Sequence, residues 1–195
     1  RAIARCAMSS EPIPDWHPAR RLRVLAVAVS PRDRPLPMIE REVDLLRDEL
    51  GALRRVDVDV LEAPATPSQL IDALQNQDYQ VLHFVGHADP DSLILEDQRG
   101  YAQKLAITDL ISAMSRLGSD LTMVFLNACQ TASPGSRPGI PSAARQLAAK
   151  GVPLVLAMQH DILNSDALVF VEAFYRDLAA YGSVVDAVGS ARRSV

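Results

Sequence analysis

Hydrophobic positions along this chain follow two patterns, one typical of strands and one typical of helices, which alternate along the sequence. Predominantly apolar runs of strand length occur at residues 21–29, 81–85, 121–128 and 152–158. Between the runs, apolar residues recur every three or four positions, as in residues 39–53, which is the spacing of an amphipathic helix. The alternation predicts an α/β fold with an open, mostly parallel sheet and helices on both faces.

Shorter signals predict the remaining elements. Valines alternate with aspartates in residues 56–60, which is typical of a half-exposed strand near a sheet edge. Residues 92–97 followed by Gly100 predict a small hairpin. Helix starts are predicted where a capping residue precedes a periodic stretch; these residues are Thr66, Thr108, Asn164 and Ser183.

Residues 1–20 contain proline, serine and arginine without sustained periodicity. We interpret them as an N-terminal arm or linker, and residues 21–195 as one domain. The chain begins with Arg1 rather than methionine, so we expect a piece of a longer or processed polypeptide.

Composition restricts the classes of protein that fit. The 195 residues are 48% hydrophobic and 23% charged, which suits one globular domain, and the net charge of -4 offers no electrostatic footprint for nucleic acid. We find no apolar run long enough to span a membrane and no leader pattern, so we expect a cytoplasmic protein without membrane contact. Two cysteines and four scattered histidines make neither a disulfide framework nor a zinc motif, and we expect no metal or other cofactor.

Reactive residues follow two of the apolar runs. His87 and Cys129 both fall at the carboxyl end of a predicted parallel strand, which is the edge where open α/β sheets place their sites. Neighbouring strands lie about 4.8 Å apart, so side chains from two adjacent strand ends can converge on one substrate atom. The pattern indicates a cysteine-histidine peptidase.

Five motifs in order resemble the CHAT domain, a caspase-like peptidase group related to separase. The motifs are His-Phe-Val-Gly-His-Ala, Leu-Ile-Leu-Glu-Asp, Leu-Asn-Ala-Cys-Gln-Thr-Ala, Gly-Val-Pro-Leu-Val-Leu-Ala-Met-Gln and Phe-Val-Glu-Ala-Phe-Tyr-Arg-Asp-Leu. The resemblance covers roughly residues 22–193. It implies a caspase-type fold and a metal-independent dyad in which Cys129 is the nucleophile and His87 the general acid/base.

Peptide hydrolysis needs these residue types independently of the family. A thiol with a lowered pKa supplies more anion near neutral pH than any hydroxyl, and a histidine can protonate the departing amine and then activate water. We expect the two side chains within about 3 to 7 Å of each other. The resemblance also points to oxyanion donors at the backbone N–H of Cys129 and in a turn formed by Gly86 and Ala88.

Other polar residues near these strands allow either a functional or a purely structural interpretation. Asn127 is a candidate lining residue of the specificity pocket, as the resemblance implies, or a polar residue that satisfies the strand end. Asp161, with His160 beside it, is either a partner for a basic P1 side chain or a solvated loop acid. We interpret His83 as a hydrogen-bonded core histidine, and we expect no role for Cys6. Residues 131–141 are expected to form a loop that gates the cleft.

The sequence therefore predicts a caspase-like cysteine endopeptidase that cleaves a protein partner. The resemblance implies regulation through attached or associated sensor or repeat domains, and in bacteria a place in defence or cell-death systems. A catalytically silent caspase-like scaffold that binds protein partners is the alternative, although intact Cys129 and His87 argue against it. A nucleotide-binding domain would need a glycine fingerprint after the first strand, and residues 29–34 have none.

Overall fold

The computed structural model of the protein describes residues 4–8, 21–37, 39–115, 121–130, 142–158 and 164–195. In these residues one mixed, mostly parallel sheet of eight strands carries helices on both faces. The predicted α/β fold with an open, mostly parallel sheet is confirmed.

The bounds of the elements are as follows. The strands are β1 (Ala4–Met8), β2 (Leu22–Ala28), β3 (Val56–Val60), β4 (Val81–Asp89), β5 (Ser92–Glu96), β6 (Ala102–Ala106), β7 (Met123–Gln130) and β8 (Leu154–Met158). The α-helices are α1 (Ile39–Asp44), α2 (Pro67–Asn76), α3 (Ile107–Ser115), α4 (Ser142–Ala149), α5 (Asn164–Tyr181) and α6 (Val184–Arg193), and a π-helical turn, Leu45–Glu49, continues α1.

Strand order across the sheet is β1-β8-β7-β4-β2-β3. The five strands from β8 to β3 run parallel, and β1 pairs antiparallel with β8 at the far edge. The β5–β6 hairpin extends the sheet beyond β2, because β5 pairs antiparallel with the last residues of β4. Strand β3 lies at the opposite edge, as its alternating valines predict.

Strand β1 corrects the prediction of an irregular arm. Residues Ala4–Met8 form a regular strand, and Cys6 lies opposite Leu156 of β8. Five residues with two buried alanines carry no periodic signal, so their conformation comes from pairing with the edge of β8 rather than from local preference. The division between an arm and a domain at residue 20 stays a prediction.

Two apolar clusters lie on the two faces of the sheet. Alternate residues of β4 enter them in turn: Val81 and Val85 pack with α5 and α6, whereas Leu82 and Phe84 pack with α2, α3 and α4. The α5 face also receives α1 and the π-helical turn through Leu45, Leu46 and Leu50. Every odd-numbered position of β4 therefore belongs to the α1 and α5 side of the sheet.

Helix ends follow the predicted caps in part. Thr66 makes a full capping box with Gln69, and Ser183 caps α6 through the backbone N–H of Asp186. The predicted end of the helix over residues 39–53 is wrong. The regular structure changes from α to π geometry after residue 44 and stops at residue 49. Helix α3 begins at Ile107, one residue before the predicted cap Thr108.

Candidate active site

His87 and Cys129 lie directly opposite each other on neighbouring parallel strands. The register of β4 and β7 pairs Val85 with Asn127, His87 with Cys129, and Ala88 with Gln130. Both positions are within two residues of the carboxyl ends of their strands. The backbone therefore brings the two reactive positions to one point at the edge where α/β sheets hold ligands.

Strand β4 is held on both sides at this point. His87 pairs with Ile94 of β5 on one side and with Cys129 of β7 on the other. Strand β2 has already ended, and the backbone N–H of Val29 closes its last ladder bond on the oxygen of Val85. The position of His87 is thus fixed by three strands rather than by a loop.

The imidazole of His87 contacts the loop that follows β2. Its Nε2 lies 3.0 Å from the backbone oxygen of Arg34. A carbonyl oxygen only accepts hydrogen bonds, so Nε2 carries the proton and donates. In the neutral ring Nδ1 is then the unprotonated nitrogen, which is the one available to accept a proton.

The β5–β6 hairpin holds that loop in place. The backbone N–H of Arg32 donates to the oxygen of Gly100 at 2.9 Å, and the backbone N–H of Ala102 donates to Oδ1 of Asp33 at 2.8 Å. These two bonds precede Arg34 directly in the chain. The carbonyl that orients His87 is therefore anchored to the turn of the hairpin.

Charged side chains add a second connection between these parts. Asp89, at the end of β4, has its carboxylate 2.7 Å from Nζ of Lys104 and 3.9 Å from the guanidinium of Arg34. Lys104 and Arg34 are largely exposed, so each pair contributes at most about 1 kcal/mol. The hydrogen bonds of the loop, rather than these ion pairs, carry most of the restraint.

Asn127 contacts an acid that the sequence analysis did not select. Its Nδ2 donates to both carboxylate oxygens of Glu42, each at 3.3 Å. Glu42 lies on α1 and is only 7% exposed. Burial raises the pKa of this carboxyl group, and the hydrogen bond from Asn127 lowers it by less.

His83 occupies the core below this edge, as predicted. It is fully buried, its Nδ1 lies 2.9 Å from the hydroxyl of Tyr175, and its ring stacks on Phe125 with centroids 4.4 Å apart. Burial lowers the pKa of His83 to about 3, so the ring is neutral. The interpretation of His83 as a hydrogen-bonded core histidine is confirmed.

Gly86 and Ala88 do not form the expected turn. Both lie inside β4, which continues as a strand to Asp89 because β5 pairs with its end. Glycine is required at position 86 by space: an added Cβ would lie 2.6 Å from Cγ2 of Val29 and 2.7 Å from Cζ of Phe84. The expectation of a turn is wrong, and the donor role of the N–H groups of Gly86, Ala88 and Cys129 stays a prediction.

Several predicted site features lie outside the described residues. They are the side chain of Cys129, with it the expected separation from His87, and the candidates His160 and Asp161. The predicted gating loop, residues 131–141, also lies outside them. These interpretations stay predictions.

Two functional groups escaped the sequence analysis for different reasons. The Arg34 oxygen is a backbone group, so no residue type marks it. Glu42 had a signal: it is three residues after Ile39 and four before Leu46, which places an acid on the apolar stripe of the helix. A charged residue at a core position is rarely without a function or a partner.

The described residues contain neither a metal-binding cluster nor a membrane-spanning helix. No three histidine, cysteine, aspartate or glutamate side chains of this part of the chain are grouped in a way that could hold a metal ion. None of its helices combines the length and the apolar character needed to cross a bilayer.

Comparison with known families assigns the chain to one family. The sequence model of the CHAT domain matches residues 4–195, which is essentially the whole chain. The protein therefore belongs to the CHAT family, a caspase-like, peptidase-related group. No curated protein matches the chain.

Proposed function

We propose that this CHAT domain is a cysteine endopeptidase that hydrolyses a peptide bond in a protein partner. The observation that carries the proposal is the β4–β7 register, in which His87 and Cys129 are opposite each other at the carboxyl edge of the sheet. Positions opposite in register belong to the same face of a sheet. A nucleophile and its base need that proximity.

The hydrogen bond from His87 to the Arg34 oxygen supports the role of His87 as base. With Nε2–H donated to a carbonyl, the neutral ring has its lone pair on Nδ1. The imidazolium that forms when Nδ1 takes a proton is also stabilised by this contact, since a charged donor strengthens the bond to the same oxygen. The carbonyl thus serves as the third member of the arrangement, the one that orients the base.

The proposed reaction has two stages. Nδ1 of His87 takes the proton of the Cys129 thiol, the sulfur attacks the peptide carbonyl carbon, and the protonated ring gives that proton to the departing amine as the C–N bond breaks. Water then attacks the thioester with its proton going to Nδ1, and the C–S bond breaks to release the new carboxyl group as the protonated ring returns that proton to the sulfur of Cys129. The N–H of Cys129, with Gly86 or Ala88, is the proposed donor set for the oxyanion.

CHAT membership and the use of a cysteine as the proposed nucleophile also suggest a setting for this activity. We place the domain in the cytoplasm of a bacterium, where a reducing environment keeps a nucleophilic cysteine available. Sensor or repeat domains, attached or associated, would restrict cleavage to a signal, as in defence or cell-death systems. The protein substrate is the partner that the site itself engages.

Active-site labelling tests the proposal with a matched control. A peptide bearing a thiol-directed electrophile is expected to modify Cys129 in the wild-type protein and nothing in the Cys129→Ala variant, by intact mass. Cys6→Ala is the control, because Cys6 is partly buried and burial raises the pKa of its thiol, with the charge of Arg192 lowering it by less. This variant should be labelled as fast as the wild type.

Cleavage of cellular proteins provides the second measurement. New peptide N-termini are expected in a proteome incubated with the wild-type protein and not with Cys129→Ala. Cleavage that survives in Cys129→Ala would end the assignment of the nucleophile. Binding of partner proteins without labelling or cleavage would favour the silent scaffold instead.

A further inference from the structure

A buried carboxylate lies beside the strand position that precedes Cys129 by two residues. Glu42 reaches Asn127 from α1, and Asn127 shares its strand and face with position 129. Two residues of a strand span about 6.6 Å. That distance is within the reach of a long side chain extending from a residue bound at the scissile bond.

Glu42 is poorly satisfied within the described part of the protein. Its hydrogen bonds from Asn127 are long, 3.3 Å to each oxygen, and both come from one neutral amide group. No basic side chain among the described residues lowers the pKa of Glu42. Burial raises this pKa, and the hydrogen bond from Asn127 lowers it. A carboxylate held away from water without a cation is costly, so the protein retains an acid where an apolar residue would suit the helix stripe.

We propose that Glu42 and Asn127 form the floor of the P1 pocket and select a lysine or arginine side chain. The inference rests on the proposed peptidase function. An incoming ammonium or guanidinium group supplies the counter-charge that the described residues do not, and a charge-assisted pair formed away from water is much stronger than one on the surface. Asn127 contributes its amide oxygen as acceptor and holds the carboxylate in position.

This assignment changes the expected specificity. Asn127 is neutral, so on its own it gives no reason for a strong preference for basic residues at P1. A single acid open to water would give only a weak preference. Glu42 is neither remote nor open, since it is 7% exposed and in contact with Asn127. A desolvated acid predicts a marked preference for basic over apolar residues at P1.

The test compares the rates at which two probes label Cys129. The probes are identical acyloxymethyl ketone peptides that differ only at P1, with lysine in one and norleucine in the other, and the measurement is the second-order labelling rate by intact mass. In the wild type the lysine probe is expected to react at least tenfold faster. In Glu42→Gln the ratio of the lysine rate to the norleucine rate should fall by tenfold or more, because the lysine side chain loses its charged partner.

Two further variants separate charge from packing. Glu42→Asp keeps the charge and should retain a preference for lysine, even if the shorter side chain slows labelling. Glu40→Gln makes the same change of net charge at an exposed position of the same helix and should leave the ratio unaltered. A loss of preference in Glu40→Gln equal to that in Glu42→Gln would mean that the overall charge, and not the pocket, is responsible.

The outcomes distinguish the pocket from the proposed function. Labelling of Cys129 with the same lysine to norleucine ratio in wild type and Glu42→Gln would overturn the pocket and leave the peptidase assignment standing. No Cys129-dependent labelling by either probe would overturn the peptidase assignment and the pocket with it. If Glu42→Gln fails to fold, the ratio in Glu42→Asp decides, because loss of lysine preference with the charge retained contradicts the proposal.

Discussion

His87 donates a hydrogen bond from Nε2 to the backbone oxygen of Arg34, 3.0 Å away, and so depends on the loop after β2 for its orientation. The acceptor belongs to the backbone, which makes the Arg34 side chain a bystander to this contact. Its one ion pair among the described residues, with Asp89 at 3.9 Å, is long and partly exposed.

Arg34→Ala is therefore expected to change the labelling rate of Cys129 by less than about threefold, since the carbonyl stays in place and the lost ion pair contributes little. His87→Ala should reduce the rate by about a hundredfold or more. Nitrogen NMR of Cys129→Ala protein should show His87 as the Nε2–H tautomer. A Nδ1–H tautomer would contradict the proposed role of Nδ1.

Gly86→Ala is expected to destabilise the protein by about 1–3 kcal/mol and to abolish labelling. The added methyl group would lie within 3.0 Å of buried side-chain atoms of Val29 and Phe84, so either these packed side chains or β4 itself must shift next to His87. Denaturant unfolding and labelling measure the two effects.

Gly189→Ala is the matched control for that substitution. Gly189 lies inside α6, and its added Cβ would meet only the guanidinium of Arg193, at an ordinary 3.5 Å. Alanine favours a helix interior, so this variant should gain about 0.5–1 kcal/mol. Equal losses in both glycine variants would show that crowding at Gly86 is not the cause.

Glu42→Gln is expected to stabilise the protein at neutral pH. The folded-state pKa of Glu42 is raised, so above the unfolded value near 4.5 the folded chain binds more protons than the unfolded chain, and the stability of the wild type falls as pH rises through this window. Glutamine removes that loss. The variant should melt a few degrees above the wild type at pH 7, at roughly 2–4 °C per kcal/mol, and the difference should vanish near pH 4. A lower melting temperature at pH 7 would contradict the poorly satisfied carboxylate.

The lowered pKa of His83 predicts that the free energy of unfolding depends on pH with the opposite sign. Its folded-state pKa is about 3 against an ordinary value of 6.5, so between these values the unfolded chain binds the extra proton and stability falls as pH decreases. The slope from this group is up to about 1.4 kcal/mol per pH unit. The double variant His83→Phe with Tyr175→Phe removes the group and should flatten the acid side of the stability profile.

Tyr175→Phe alone measures the hydrogen bond to His83. Within the described residues Nε2 of His83 has no partner, and the variant would remove the partner of Nδ1 as well. A cost of about 1–3 kcal/mol is expected in urea unfolding. No cost would mean that the ring gains little from the hydroxyl and is held by stacking on Phe125.

The main sheet and the positions of His87 and Cys129 could be predicted from sequence because each depends on local pattern. Apolar runs mark buried strands, and the carboxyl ends of parallel strands meet at one edge. Strand β1 could not be predicted, because Ala4–Met8 becomes a strand by pairing with β8, a partner about 150 residues later in the chain.

The surroundings of the site were less predictable because they depend on contacts between distant segments. Asn127 and Glu42 are 85 residues apart, and His87 and Arg34 are 53 apart. The Arg34 contact uses a backbone atom, which residue identity does not reveal. An acid on an apolar helix stripe does mark Glu42 as unusual, but only the fold shows that the stripe passes beside β7.

The β5–β6 hairpin connects the candidate site to the protein surface through hydrogen bonds. Tyr101, beside the turn, is 48% exposed, and its neighbours Gly100 and Ala102 hold Arg32 and Asp33. The next residue of that loop, Arg34, holds His87. A continuous path of backbone and hydrogen bonds therefore joins an exposed turn to the proposed base, and the orientation of His87 depends on the conformation of that turn.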